Sequence, residues 1–468
     1  YIYSYKAFRD TSMLTGIRYQ AKPTADQAQR LAQWIGCARV IWNAKCDEDR
    51  YQRTFARKYL PVGTYPRPDK TYSQYKTELT PWLRECPSQI LRNSATIWAQ
   101  TYQDFFKGRC GRPKPKNRIK GNYIWLTREL FQLTKESGTW VLRIGSKKND
   151  LGMLKINWHR KPRADQLPNS IWIRVEHGRW SVSFSYDDGK LDDNHLTNDQ
   201  HLSWLRKCST EQLENLITPL DRGVARPVQT HDATYVVSDR NLAKQRGREK
   251  YLKRCQRKLA RQKKGSNQRK KTQARIARLH RKTSNVRDDF LHKTSRSVVD
   301  SAKVIVLEDL KLANMTKRAA PVAGPAPGRW LANGGRAKSG LNKALLGVGL
   351  NRLETYLTYK ARRQNKPVLK VNPMNTSREC AACGHTHPDN RRSQAAFRCT
   401  HCGHTDNADR NAALVIRKRA IQLILHSGTE LVGTQKNVLR PGAYLNPRKT
   451  PAANAASATG GTSKKKAA

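Results

Sequence analysis

The 468-residue chain carries 90 Lys and Arg against 36 Asp and Glu, a formal net charge of 90 − 36 = +54, with 37% hydrophobic residues. At ~150 residues per domain the length suits about three domains, and the apolar content suits several small cores rather than one large one. The cation excess is larger than a solubilising surface needs, and no amphipathic helix shows a large aromatic face, so the expected polyanion is nucleic acid and not a membrane surface.

In chain order, residues 14–22 alternate loosely and predict a strand. A helix follows from Thr24, where Thr24 and Gln27 have capping-box spacing, and Leu31, Trp34, Ile35, Ala38, Ile41 and Trp42 recur at helical intervals. A second helical stretch is predicted over about 71–107, then a basic loop, "GRPKPKNR", at 111–118. Between 122 and 186, short alternating segments broken by Gly, Pro, Asn and Asp predict a small antiparallel β domain. Residues 187–205 are acidic and polar and read as a linker.

The next region holds turn-linked strands from about 212. From Asn241 to Lys282 there are 18 Lys and Arg and one acid, Glu249. This predicts a basic helix or helical hairpin interrupted at Gly265–Ser266. Cations so concentrated repel one another without a polyanion, so a phosphate backbone is the expected contact, with Arg254, Lys258, Arg261, Lys270 and Lys271 as candidate ligands. Another helix is expected at about 284–302, then the apolar strand "KVIVLEDL", a Pro/Gly/Ala loop, an amphipathic helix from Ser339 to Gln364 and the strand "PVLKVNP". Beyond about 430 the Ala/Gly/Pro/Lys-rich composition predicts disorder. No apolar run approaches the ~20 residues of a membrane span. No signal peptide is read near Tyr1, and Met13 is a candidate native start.

Four of the ten cysteines form the spacing C-x₂-C-x₁₅-C-x₂-C: Cys380, Cys383, Cys399 and Cys402. A two-residue gap lets both thiolates of a knuckle reach one cation, and two knuckles complete a closed tetrahedron, so the expected ion is a structural zinc. Gly384 and Gly403 follow the pairs, where the turn needs an unhindered backbone. His385, His387, His401 and His404 are alternative ligands that the four-Cys set does not need. The other cysteines, Cys37, Cys46, Cys86, Cys110, Cys208 and Cys255, lack a pattern and read as reduced thiols of a cytoplasmic protein.

Three acids sit at the edges of predicted elements. Asp221 follows "LITPL", Glu308 ends "VIVL", and Asp409 starts the helix "ADRNAALVI". Such a trio suits two Mg²⁺ ions ~3.5–4 Å apart and phosphodiester hydrolysis. Spacing alone leaves a structural reading open, because Asp406 and Asp409 also qualify as helix-terminal acids favoured by the helix dipole.

The run "VNPMNTSRECAACGH…FRCTHCGHTDNADRNAA" resembles the C-terminal signature of the TnpB family, transposon-encoded RNA-guided nucleases related to the small type V CRISPR effectors. The segments "GIRYQAKPTADQAQRLAQWIGCARVIWN", "FFKGRCGRPKPKNR", "WHRKPRADQLPNSIWIRVEHGRWSVSFSY" and "RKLARQKKGSNQRKKTQARIARLHRKTSNVRDDFLHK" are similar to other parts of that family. The resemblance implies an α/β multidomain protein: an RNase H-like (RuvC-like) nuclease domain with an inserted zinc ribbon, an N-terminal helical recognition region and a small antiparallel β (wedge-like) domain. Asp221, Glu308 and Asp409 match its catalytic carboxylates and would hold Mg. Asp309 and Asp406 match no catalytic position. Where the family commonly has Gly two residues before the first Asp, this chain has Pro219, which removes an N–H from the strand.

The implied partners are a guide RNA and target DNA, with base pairing giving specificity beside a short flanking motif. A monomer acting in the prokaryotic cytoplasm is expected. Two further readings stand beside this one: a catalytically silent RNA-guided regulator and an unguided zinc-ribbon binder of nucleic acid. The expected layout is 1–23 extension and first strand of the β domain, 24–110 helical region, 111–205 β domain and linker, 206–376 first part of the nuclease domain, 377–405 zinc ribbon, 406–429 last part of the nuclease domain, and 430–468 disordered basic tail.

Overall fold

The structure, a computed structural model, describes residues 12–426 apart from 56–57, 60–68, 118–121, 147–148, 163–166, 177, 191–195, 197, 327 and 394, together with Arg440–Pro441. The chain divides into two compact units, Tyr1–Asp193 with Leu445–Ala468, and Asn194–Tyr444.

The first unit opens with β1 (Ser12–Ala21) and α1 (Ala25–Thr54). The Thr24–Gln27 capping box forms: the Gln27 N–H donates to Thr24 Oγ1 at 3.3 Å and the Thr24 N–H to Gln27 Oε1 at 3.1 Å. The expected helix over 71–107 is instead broken into α2 (Trp82–Glu85) and α3 (Ser88–Phe106). Pro87 is the cause: a residue before proline is pushed off the helical region, and Cys86 is extended at ψ 138°.

The β region comprises β2 (Tyr123–Thr127), β3 (Phe131–Glu136), β4 (Thr139–Ile144), β5 (Gly152–Leu154), β6 (Ile156–Asn157), β7 (Ser170–Glu176) and β8 (Arg179–Lys190). An antiparallel five-stranded sheet runs β2-β7-β8-β1-β6, and a second sheet runs β3-β4-β5. Alternation sends Ile124, Leu126, Ile171, Ile173, Val182 and Phe184 into one core with Leu31, Ile35 and Leu91 of the helices.

The second unit starts within the expected linker. Residues of α4 (Asn198–Leu205) are helical, and Leu205 is fully buried in this unit's core. The polar composition of 187–205 concealed an apolar pair, Leu202 and Leu205, at i,i+3 spacing. Then come α5 (Thr210–Leu216), β9 (Ile217–Leu220), β10 (Val228–Gln229), β11 (Thr234–Tyr235), α6 (Asp239–Arg261), α7 (Asn267–Ser301), β12 (Val304–Glu308), α8 (Leu312–Met315), β13 (Val322–Ala323) and β14 (Trp330–Leu331). The basic hairpin breaks at residues 262–266, with Gly265 at φ 87°, and its second arm runs unbroken to Ser301, so no separate helix begins at 284. The helix expected over 339–364 is two, α9 (Gly335–Val348) and α10 (Leu350–Arg363), separated by Gly349 at φ 82°. The unit closes with β15 (Val368–Val371), β16 (Ala396–Arg398), β17 (Thr405–Asn407), α11 (Ala408–His426) and β18 (Arg440–Pro441). Apart from β18, the expected disordered tail lies outside the described residues.

The central sheet runs β18-β15-β12-β9, with β9, β12 and β15 parallel and β18 antiparallel to β15. Every residue of β12 is buried, as expected for a parallel strand covered on both faces. One face packs on Leu291, Val298, Val299, Leu353 and Leu357 of α7 and α10; the other packs on Leu213 of α5 and Ile416, Ala420 and Ile424 of α11. Beyond β9, Asp221 and Gln229 exchange two backbone hydrogen bonds of 2.9 Å, joining β10 and β11 to its other side. Hydrogen-bonding direction alternates along a strand, so Pro219 faces the same way as Asp221. Its missing N–H is therefore turned away from β12 and costs the central ladder nothing.

Candidate functional site

Strands β9 and β12 end side by side, with Leu220 paired to Leu307. Asp221 is the next residue after β9 and Glu308 the last of β12, so both acids lie at the C-terminal edge of a parallel sheet, where open α/β sheets place their ligands. The third acid arrives from α11. Its N-cap is Asn407, whose Oδ1 accepts from the N–H groups of Asp409 at 3.1 Å and Arg410 at 3.3 Å. Packing of Ile416, Ala420 and Ile424 on the sheet brings this helix start to the strand ends.

Asp221 feels the other two acids. Burial, followed by the negative charges of Glu308 and Asp409, pushes the Asp221 carboxyl up to about 7, against the opposing pull of Arg391. Glu308 is 6% exposed, and burial raises its pKa despite Thr376, Arg222 and Arg419. Thr376 Oγ1 donates to Glu308 Oε1 at 2.5 Å. Arg391 Nη2 donates to Asp409 Oδ1 at 3.1 Å, and Arg226 Nε lies 3.9 Å from the same carboxylate. Repulsion of this kind is what a divalent cation relieves, and an all-oxygen set suits a hard one. Among the described residues, the four cysteines are the set whose ligand atoms all fall within 4.8 Å of one another. Asp221, Glu308 and Asp409 do not meet that distance as a group of three.

Asp406 is not the helix-terminal acid expected from the sequence. It lies on β17 opposite Phe397, and its Oδ1 accepts the Asn407 N–H at 2.7 Å. Asp309 is 3.6 Å from Lys370, and its N–H donates to the Val371 carbonyl at 2.8 Å.

The four cysteines converge. Cys380 and Cys402 sulfurs are 3.7 Å apart, and Cys383 and Cys399 sulfurs 3.6 Å. Thiolates ~2.3 Å from a tetrahedral centre lie about 3.8 Å apart, so the spacing is that of one ion's shell. Gly384 and Gly403, at φ 79° and 73°, turn each knuckle, and the Cys402 N–H donates to Cys399 Sγ at 3.5 Å. The finger is fastened to α11. Asn411 donates to the Glu379 carbonyl at 2.8 Å and accepts from the Ala381 N–H at 3.0 Å, while Arg419 Nε bonds the Glu379 carboxylate at 3.1 Å.

Arg254, Lys258 and Arg261 of α6 and Lys270 and Lys271 of α7 are all exposed. Their neighbour Arg269 instead braces the hairpin turn, where its Nη1 donates to the Gln262 carbonyl at 2.9 Å just past the end of α6.

Sequence reasoning missed Asn407, Arg391, Thr376, Arg222 and Arg226. Asn407 had a signal, a cap residue directly before a helical run. The others act on partners distant in sequence and had none.

Residues 351–416 match the family described as Cas12f1-like, TNB domain; residues 220–319 match one described as probable transposase; and residues 13–53 match one described as a helix-turn-helix domain, although here they form β1 and most of the single helix α1. The putative RNA-guided DNA endonuclease InsQ of Escherichia coli (strain K12) is 30% identical over 404 residues, covering 86% of this chain and 90% of that protein. A putative RNA-guided DNA endonuclease of Streptomyces pristinaespiralis is 25% identical over 302 residues, covering 64% of this chain and 68% of that one. A solved structure described as the Cas12f1–sgRNA–target DNA complex shares the fold at a TM-score of 0.52 and 13% identity, covering 87% of this chain and 99% of that one. With that identity across nine-tenths of the InsQ protein, the chain belongs to the TnpB family of transposon-encoded RNA-guided DNA endonucleases, relatives of the small type V CRISPR effectors.

Proposed function

We propose that Asp221, Glu308 and Asp409 are the cutting site of this RNA-guided DNA endonuclease, set in a RuvC-like domain into which the zinc ribbon is inserted just ahead of Asp409. The observation that carries this reading is that Asp221 and Glu308, far apart in sequence, are neighbours at the ends of the paired parallel strands β9 and β12, with Asp409 at the start of α11 near enough for its charge to act on Asp221. The order β11-β10-β9-β12-β15, with acids at the ends of the first and fourth strands in the chain, supports the RNase H-like reading.

The three carboxylates would hold Mg²⁺, which when bound supplies a Lewis acid and an activated water for phosphodiester hydrolysis. Thr376 holds the Glu308 side chain, and Arg391 and the Asn407 cap hold Asp409. Cys380, Cys383, Cys399 and Cys402 would bind one structural zinc. A guide RNA pairs with target DNA beside a short flanking motif, and the basic hairpin α6–α7 takes phosphates through Arg254, Lys258, Arg261, Lys270 and Lys271. The helical region 24–110 and the β domain of 122–186 grip the RNA–DNA hybrid and the flanking duplex.

The test is guide-dependent cleavage of a matched plasmid beside target binding by the same preparations. Asp409→Asn should lower cleavage by several orders of magnitude and leave binding intact, whereas Asp406→Asn should cost far less. Robust cutting by Asp409→Asn would refute the assignment. Target binding without cutting by the unaltered protein would make it a guided regulator.

A further inference from the structure

Directly behind the carboxylates lies a buried ionic cluster that takes no part in the chemistry above. The backbone ladder between β9 and β12 ends at Leu220 and Leu307. Asp221 and Glu308 are each one residue past that last pair; each is paired on its outer side, Asp221 with Gln229 and Glu308 with Val371, while toward each other the β9–β12 register has ended. The Arg222 side chain spans the gap. It is 0% exposed, and its Nη2 donates to the Glu308 main-chain carbonyl at 2.6 Å. Its Nη1 donates to Glu354 of α10 at 2.9 Å. Glu354 is in turn 2.5 Å from Lys370 of β15, which lies 3.6 Å from Asp309.

Two cations and two anions therefore join the end of β9, the end of β12, helix α10 and strand β15. A guanidinium buried without an anion is strongly destabilising, so Glu354 is what allows Arg222 to remain there. The planar fork matters as much as the charge, because one rigid group reaches both acceptors at once.

We propose that Arg222, anchored by Glu354 and Lys370, is a positioning residue that extends the β9–β12 pairing by one step and so sets the separation of Asp221 and Glu308. This rests on those acids being the metal-binding site. Arg222 touches neither metal nor substrate in this role. It acts through the backbone of Glu308, while Thr376 orients that residue's carboxylate from the other side.

The consequence is a change in metal requirement among folded molecules. Variants are therefore compared at equal folded fraction at every Mg²⁺ concentration, because metal binding itself favours the folded chain. A misplaced carboxylate shifts the concentration at which cleavage is half-maximal. The experiment uses the full chain with its guide RNA, matched for bound RNA, and measures Mg²⁺ binding by isothermal titration calorimetry beside cleavage of the target plasmid across a Mg²⁺ series. Arg222→Met should raise the half-maximal Mg²⁺ concentration by about tenfold, the usual scale for losing a group that orients a metal ligand. Arg222→Lys, which keeps the charge but not the fork, should show a smaller rise in the same direction. A wild-type Mg²⁺ midpoint in folded Arg222→Met would overturn the proposal. If Arg222→Met does not fold, Arg222→Lys decides, and a wild-type midpoint there overturns it equally. Asp409→Asn run alongside separates the two ideas. If it cuts, the site assignment fails; if it is dead while the Arg222 variants keep the wild-type midpoint, only the clamp fails.

Discussion

Asp221 shows how one side chain reports on its neighbours. Its carboxyl is raised from 3.8 to about 7 by burial first and then by Glu308 and Asp409. A raised carboxyl makes the folded, metal-free protein hold a proton more tightly than the unfolded chain. Its contribution to stability is therefore complete below 3.8 and is lost as pH rises toward about 7. Melting temperatures of chelator-treated protein should fall across that window relative to Asp221→Asn, and saturating Mg²⁺ should remove the fall. A flat difference between the two proteins would show that the Asp221 carboxyl is not raised in the folded chain. The same residue shows what was legible. Its place at an element edge is visible in "LITPLD", and so is the Pro219 that makes the strand look doubtful. That Pro219 turns its missing N–H away from β12 is visible only once Asp221 is seen paired with Gln229.

Among the elements, the α6–α7 hairpin was read from charge and from the Gly265 break. Its length was misjudged because the charge pattern fades near Lys282 while the helix continues on buried Leu291, Val298 and Val299. Exposed cations on both arms predict counterion release. Replacing Arg254, Lys258 and Arg261 with Ala should weaken nucleic-acid binding and flatten the slope of log affinity against log salt by about 0.9 for each lost phosphate contact on a duplex, somewhat less on a single strand. An unchanged slope in filter binding would place the phosphate contacts elsewhere. The zinc ribbon makes a second element-scale prediction. Metal analysis should find about one zinc per chain, lost in Cys380→Ser/Cys402→Ser. Because Asn411 and Arg419 tie the finger to the helix carrying Asp409, that variant should also lose cleavage while retaining RNA on the hairpin. Full zinc occupancy in the double variant would overturn the ligand assignment.

For the whole molecule, the +54 charge demands a polyanion, and the family supplies its kind. Purified protein should carry a discrete, nuclease-resistant RNA, identified by sequencing what co-purifies; heterogeneous cellular fragments alone would count against a dedicated guide. No helix among the described residues is long and apolar enough to cross a membrane. By itself the sequence determined whatever depends on near neighbours. The Cys spacing brings four thiols together within one finger, the Thr24–Gln27 box starts α1, and charge density needs no fold to be counted. Tertiary structure alone decided which acids meet. Asp406 and Asp409 are three residues apart and look alike in sequence, but a hairpin strand holds the first and a capped helix start carries the second to the sheet edge. Arg391, Thr376 and the Arg222–Glu354 pair likewise owe their roles to partners that only packing brings within hydrogen-bonding distance, because such bonds depend on position in space and leave no period or spacing in the chain.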